Sequence, residues 1–153
     1  MNVCVDACFM LALYDKKDGH HEVATELFQQ LFDSASHQLV VPWPILYETV
    51  STRMTRRRES MEFLERDLTH LRRQNRLLML FDRKMREQAL GECFDELKRR
   101  GSSYRALSLV DRVMRLMLLN PKHRLHALIT FNRDDFEDVC VSRKIRLIDS
   151  SDG

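Results

Sequence analysis

Short apolar runs alternate with segments of helical periodicity along the whole chain, and this alternation restricts the fold more than any other feature. Asn2–Val5 and residues 39–41, 77–81, 127–131 and 145–148 are each too short and too tightly bounded for a helix. Apart from Asn2, Thr130 and Arg146 they are apolar rather than alternating, the pattern of strands buried on both faces of a parallel sheet. Between them, residues 7–13 read as a short helix, and residues 19–32 place Val23, Ala24, Leu27, Phe28, Leu31 and Phe32 at three-and-four spacing. Pro44 suits the first turn of a helix running to about Arg53, and residues 59–73 form a more polar one. Residues 83–100 end at Gly101, where a left-handed cap favours glycine, and Ser102-Ser103-Tyr104 form the following loop. Residues 108–119 are apolar on nearly every side, which predicts a central buried helix stopped by Asn120-Pro121, and residues 135–139 make a short helical turn. Strands alternating with helices predict an α/β, three-layer α/β/α domain with a central, mostly parallel sheet of about five strands. At 44% hydrophobic, 153 residues can bury roughly two thirds of their unfolded surface, so residues 1–153 read as a single domain.

Three acids are set into this apolar frame. Asp6 closes Val3-Cys4-Val5, Glu48 lies inside Pro44-Ile45-Leu46-Tyr47-Glu48-Thr49-Val50, and Asp111 opens the apolar helix. A buried carboxylate costs free energy unless it meets donors or a cation, and a hard divalent ion could hold all three together. Each acid also has a simpler role. Asp6 can cap the helix after it, Glu48 can face solvent, and Ser108-Leu109-Val110-Asp111 has the form of a capping pair. The combination is more specific than its members, because ligands of open parallel sheets bind where the carboxyl ends of strands meet the following helices.

Composition narrows the classes further. Cys4, Cys8, Cys93 and Cys140 show no CxxC spacing and no secreted-scaffold density, so they read as reduced, intracellular thiols. There is no signal-like amino terminus and no apolar stretch of about 18 residues, which predicts a soluble cytoplasmic protein without a membrane partner. The net charge is only +2, but Arg53, Arg56, Arg57 and Arg58 form a block that could follow a phosphate backbone or serve as solvated surface. The histidines at 20, 21, 123 and 126 lack a matching ligand pair and read as surface or capping residues. None of the four glycines builds a phosphate-binding loop, which argues against a nucleotide-cofactor enzyme.

Four segments resemble the motifs of PIN-domain ribonucleases, in family order and across essentially the whole chain. They are Val5-Asp6-Ala7-Cys8-Phe9-Met10-Leu11-Ala12-Leu13, Ile45-Leu46-Tyr47-Glu48-Thr49, Ser108-Leu109-Val110-Asp111 and Ile129-Thr130-Phe131-Asn132-Arg133-Asp134-Asp135-Phe136. The resemblance is to the VapC-like toxin branch, and Asp18-Gly19-His20-His21-Glu22 is similar to a segment common after the first motif there. It implies an endoribonuclease cutting single-stranded RNA with Mg²⁺ or Mn²⁺, in which Asp6 and Asp111 hold the metal and Glu48 orients a water on it. Ser108 and Thr130 would support the site. The resemblance further implies a toxin paired with a VapB-like antitoxin and, as in many PIN toxins, a homodimer.

The chain departs from that pattern in two places. Ala7 stands where many relatives carry a hydroxyl, and Asn132 stands at the fourth acidic position, where its uncharged amide oxygen can still support the site or bind metal, or Asp135 can supply the fourth acid instead. These departures keep two rivals in view. One is a housekeeping PIN nuclease of RNA processing, and the other is a degenerate PIN module that binds RNA or protein without cleaving.

Overall fold

The computed structural model of the protein describes residues 1–33, 37–98 and 106–151. Five strands, β1 (Asn2–Val5), β2 (Gln38–Pro42), β3 (Leu77–Leu80), β4 (Ala127–Ile129) and β5 (Arg146–Ile148), form one sheet in the order β3-β2-β1-β4-β5. Every neighbouring pair is parallel. The sheet is therefore wholly parallel, and the apolar runs owe their lack of alternation to cover on both faces. Val3, Cys4, Val5, Val40, Val41, Leu128 and Ile129 are completely inaccessible to solvent.

Helices α1 (Ala7–Tyr14), α2 (His21–Phe28), α3 (Trp43–Thr49), α4 (Thr52–Thr55) and α5 (Arg58–Arg73) lie in the connections from β1 to β2 and from β2 to β3. Helices α6 (Arg86–Lys98) and α7 (Leu109–Leu119) lie between β3 and β4, and α8 (Glu137–Arg143) between β4 and β5. The chain steps outward from β1 to β3, then crosses back to β4 and steps the other way. Right-handed crossovers therefore put the two sets of helices on opposite faces, giving three layers. The order reverses between β1 and β4, which makes their carboxyl ends the switch point where open α/β sheets form crevices.

Several boundaries differ from expectation for identifiable reasons. The helix predicted over residues 19–32 ends its α-helical part at Phe28 and continues as a wider π-helical turn, Gln29–Asp33, in which the rings of Phe28 and Phe32 lie 5.2 Å apart. The helix beginning near Pro44 breaks after Thr49, and its continuation is a separate turn of helix, α4. Pro42 is the last residue of β2 and pairs with Leu80; at a strand end, its missing N–H interrupts no ladder. Helix α7 is not apolar all round: Leu109 and Leu119 are exposed, while Arg112 is buried within 3.9 Å of Glu96 on α6. The Gly101 cap and the loop at residues 102–104 fall outside the described residues. Among the described residues no helix is long and apolar enough to cross a membrane.

Candidate functional site

Asp6 is the first residue past β1, and its backbone N–H still donates to Ile129 O (3.1 Å), so the strand pairing carries it to the carboxyl edge of the sheet. Its side chain is only 6% exposed and accepts three hydrogen bonds. Oδ1 accepts from Ala7 N (2.7 Å), and Oδ2 from Thr130 Oγ1 (2.9 Å) and Cys8 Sγ (3.0 Å). The Ala7 contact reaches only the first helical residue, so Asp6 caps α1 loosely; of its other two donors, Cys8 is local and Thr130 comes from across the switch point. Thr130 accepts in turn from Asn132 N, and Cys8 Sγ accepts from Phe131 N (3.2 Å). Burial, followed by the negative charge of Asp6, pushes the Cys8 thiol up to about 12, so it remains a neutral donor. Ala7 removes a hydroxyl from the motif, and Cys8 and Thr130 supply donors to the same carboxylate.

Three donors do not cancel the cost of confining this charge. Burial raises the Asp6 pKa above the ordinary carboxylate value, the hydrogen bonds of Cys8, Thr130 and Ala7 oppose it, and the charge of Asp111 adds to the rise. Glu48, exposed on α3, has its carboxyl raised first by partial desolvation, then by Asp111, then by Asp6. The fields of the three acids therefore overlap, although they arise from three distant segments of sequence. Asp111 occupies the third position of α7, and its Oδ2 accepts from Ser108 N (3.0 Å) and Ser108 Oγ (2.6 Å) while its own N–H donates to Ser108 Oγ (3.0 Å). The capping role and the cluster role thus coexist in one carboxylate.

The donor set is all hard oxygen, as Mg²⁺ or Mn²⁺ requires, and mutual repulsion favours a cation among them. The side chains do not stand in a ligating arrangement: among the described residues, no three His, Cys, Asp or Glu side chains already converge at metal-binding distance.

The fourth motif packs differently. Asn132 precedes the 3₁₀ turn Arg133–Asp135 and Asp135 closes it, and the Asn132 amide donates to the Asp135 carboxylate. The turn is anchored from α7, because Arg115 donates to Asp135 O (2.6 Å) while forming a two-pronged pair with Asp138 (2.7 and 2.6 Å). Asp111 adds to the rise at Asp6, and Asp111 and Asp6 add to the rise at Glu48. Asn132→Asp would set a second carboxylate against Asp135. Its melting temperature in chelator is expected to fall below wild type, with Mn²⁺ restoring it if the pair faces the ion. For a nuclease of the kind the motifs imply, Asp135→Asn is expected to reduce cleavage by about 10-fold, the size of an outer-shell effect. Unfolding and cleavage measured on both variants check this, and an unchanged rate for Asp135→Asn would reduce Asp135 to a turn residue.

The arginine block is partly committed. Arg53 and Arg57 both pair with Asp15, and Arg58 pairs with Glu62 (2.7 Å). Arg56 is exposed and has no carboxylate partner among the described residues. The histidine segment serves packing: His20 stacks on Phe131 (4.6 Å between centroids, 17° between planes), and His21 Nδ1 meets Ala12 O at 2.8 Å. It fastens α2 to α1 and to the turn after β4.

Two features escape a reading of the sequence. Asp82, two residues past β3, is buried and takes a two-pronged bond from Arg86 (both 2.7 Å), which holds its carboxyl below the ordinary range. Its position just beyond a strand, like that of Asp6 just beyond β1, is the only hint the sequence offers. The second is an apolar groove of about 560 Å³, whose lining includes Glu48, Asp82, Arg86, Leu90, Leu109 and Val113. It runs beside the acids between α3, α6 and α7.

An all-parallel β3-β2-β1-β4-β5 sheet between helical layers, with acids at its switch point, is a PIN-like fold. The chain is similar over 89% of its length to Mycobacterium tuberculosis VapC20, described as a sarcin-ricin-loop-cleaving toxin, at 18% identity, a TM-score of 0.58 and 94% coverage of that chain. It is also similar over 97% of its length to VapBC2 from Rickettsia felis, solved bound to a DNA fragment from its promoter, at 13% identity, a TM-score of 0.55 and 98% coverage of that chain. At these identities the shared property is the fold. No protein-family model matches the sequence, and no curated protein matches it.

Proposed function

We propose that the protein, as a single domain over residues 1–153, is a divalent-metal-dependent endoribonuclease of VapC type that acts on single-stranded RNA regions in the cytoplasm. The observation that carries this reading is the overlap of Asp6, Glu48 and Asp111 in one field at the switch point. When bound, Mg²⁺ or Mn²⁺ supplies Lewis-acid stabilisation of the charge that builds on the phosphate oxygens and acidifies a water. Asp6, fixed by Cys8 and Thr130, and Asp111, fixed by Ser108, are the residues that would hold it. Glu48 has the exposure and the raised pKa of a base that orients the attacking water and takes its proton. Asp135, held by Asn132, contributes negative potential at the rim.

The likeness to VapBC2 supports a VapB-like antitoxin as partner and the toxin role over RNA processing. The non-cleaving alternative draws on the commitment of the Asp111 carboxylate to its capping box. Incubating purified protein and mixed structured RNAs with Mn²⁺, with chelator as control, separates the two. Metal-dependent cleavage is expected, and its absence with RNA binding retained would leave a binding module.

The arginines after α3 lend themselves to a quantitative check. Replacing Arg53, Arg56, Arg57 and Arg58 together with Gln should weaken RNA binding. The slope of log affinity against log salt should flatten by about 0.7 for each phosphate no longer neutralised. Because Arg56 is the member without a carboxylate partner, Arg56→Gln alone should account for the largest single share. An unchanged slope in the fourfold variant would return the block to solvated surface.

A further inference from the structure

Beyond the acids, the carboxyl edge of the sheet carries an aromatic cluster. The β2–β3 register sets Pro42 opposite Leu80, so the next residues, Trp43 and Phe81, emerge side by side past the strand ends. Their ring centroids are 6.0 Å apart. Tyr47, one helical turn after Trp43 on α3, adds a third ring at 5.8 Å. Tyr47 and Phe81 are 65% and 71% exposed, an unusual amount of aromatic surface to leave in water on two neighbouring elements. The rings and two cations, Arg83 and Arg86, line a recess of about 530 Å³. Arg86 is tied to Asp82, whereas Arg83 is exposed and has no carboxylate partner among the described residues. Tyr47 and Arg86 also line the groove that holds Glu48, so the recess continues that groove, and Tyr47 directly precedes Glu48 in sequence.

We infer that Trp43, Tyr47 and Phe81 form a stacking platform for an unpaired nucleobase of the RNA substrate, with Arg83 and Arg86 holding its flanking phosphate. The inference rests on the ribonuclease reading and adds a subsite to it. Flat aromatic faces accept any base, and a cationic rim recognises the backbone that connects it to the next nucleotide. This chemistry selects single strands, because bases inside a duplex do not present a free face. It also gives the substrate a direction, with one base held at the platform while a neighbouring phosphate lies toward Glu48.

Trp43 is the sole tryptophan of the chain and reports on the platform directly. In chelator, a single-stranded oligoribonucleotide should change Trp43 emission as it binds, with binding followed independently by the anisotropy of a labelled strand. Tyr47→Ala and Phe81→Ala should each weaken that binding about 5- to 100-fold, the range expected for losing one base–aromatic stack, with the salt slope unchanged. Arg83→Gln should lower the slope by about 0.7. Phe81→Tyr should retain affinity and Phe81→Leu should lose it, which separates ring stacking from apolar packing. RNA that binds with wild-type affinity to Tyr47→Ala and Phe81→Ala while leaving Trp43 emission unchanged would overturn the platform and leave the nuclease intact. A Trp43 signal that moves with protein concentration in the absence of RNA, matched by dimer formation in sedimentation, would make the patch an interface between copies and also overturn it. Failure to bind or cut any RNA would remove the ribonuclease reading and the platform together.

Discussion

Asp6→Asn and Asp111→Asn are each expected to lower Mn²⁺-dependent RNA cleavage by about 100-fold or more, because each removes a full charge, at almost constant volume, from the centre proposed to hold the metal. Their effects on stability should differ in sign. Asp6→Asn relieves a carboxylate that burial and Asp111 disfavour, and the amide can still accept from Ala7 N while Thr130 and Cys8 reorient. Its melting temperature in chelator should therefore rise, the common outcome when a strained site residue is neutralised. Asp111→Asn loses a charge in the first turn of α7 and weakens a capping box, so it should cost about 0.5 to 1 kcal/mol. Cleavage rates and unfolding curves on the same preparations test both halves. Wild-type turnover in either variant would remove that acid from the site, and a destabilised Asp6→Asn would mean that its hydrogen bonds outweigh its burial.

The response of stability to pH and metal should be equally large. Asp6 and Glu48 have folded pKa values raised above the ordinary 3.8 and 4.5. Between the ordinary and the raised values the folded chain retains protons that the unfolded chain has released. The contribution of these two groups is thus most favourable at acidic pH and is lost as pH rises through the raised values. Asp82 behaves oppositely: Arg86 lowers its pKa, so its contribution is present above the ordinary value and disappears only in stronger acid. In chelator, the melting-temperature advantage of Asp6→Asn over wild type should grow as pH rises above about 4. Mn²⁺ competes with those protons, so its stabilisation should be small at acidic pH and full at neutral pH. At a hundred times its dissociation constant it is worth about 2.7 kcal/mol, a shift of about 5 to 10 °C for a chain of this size. Asp6→Asn should show a much smaller shift. Equal Mn²⁺ shifts in wild type and Asp6→Asn, measured by calorimetry across pH, would place the ion away from Asp6.

The sequence by itself determined the class of fold. Runs such as Val3-Cys4-Val5 and Leu39-Val40-Val41 can satisfy their burial only between two helical layers, and the segments between them carry the spacing of covering helices. It also singled out Asp6, Glu48 and Asp111 as candidates, because an acid inside an apolar stretch conflicts with its surroundings and the conflict is visible locally. The capping pair of Ser108 and Asp111 was legible for the same reason, since its geometry spans only three residues.

Tertiary structure decided which partners each acid has. Thr130 meets Asp6 only because β4 pairs beside β1, with Val5 opposite Ile129 across 124 residues of chain, whereas Cys8 reaches the same oxygen from two residues away. That pairing brings a hydroxyl to Asp6 where Ala7 offers none, and it sets the Phe131 N–H against the Cys8 sulfur. Ion pairing also spent Arg53 and Arg57 on Asp15 and Arg58 on Glu62, a competition that a block of like charges does not reveal. The aromatic recess was invisible in the same way. Trp43 and Tyr47 are neighbours on α3, but only the parallel register of β2 and β3 brings Phe81 beside Trp43 past the strand ends, and Tyr47 and Phe81 are left exposed there. Local patterns fix secondary structure because their energies are local, whereas partner choice at the sheet edge depends on strand order, which no local segment encodes.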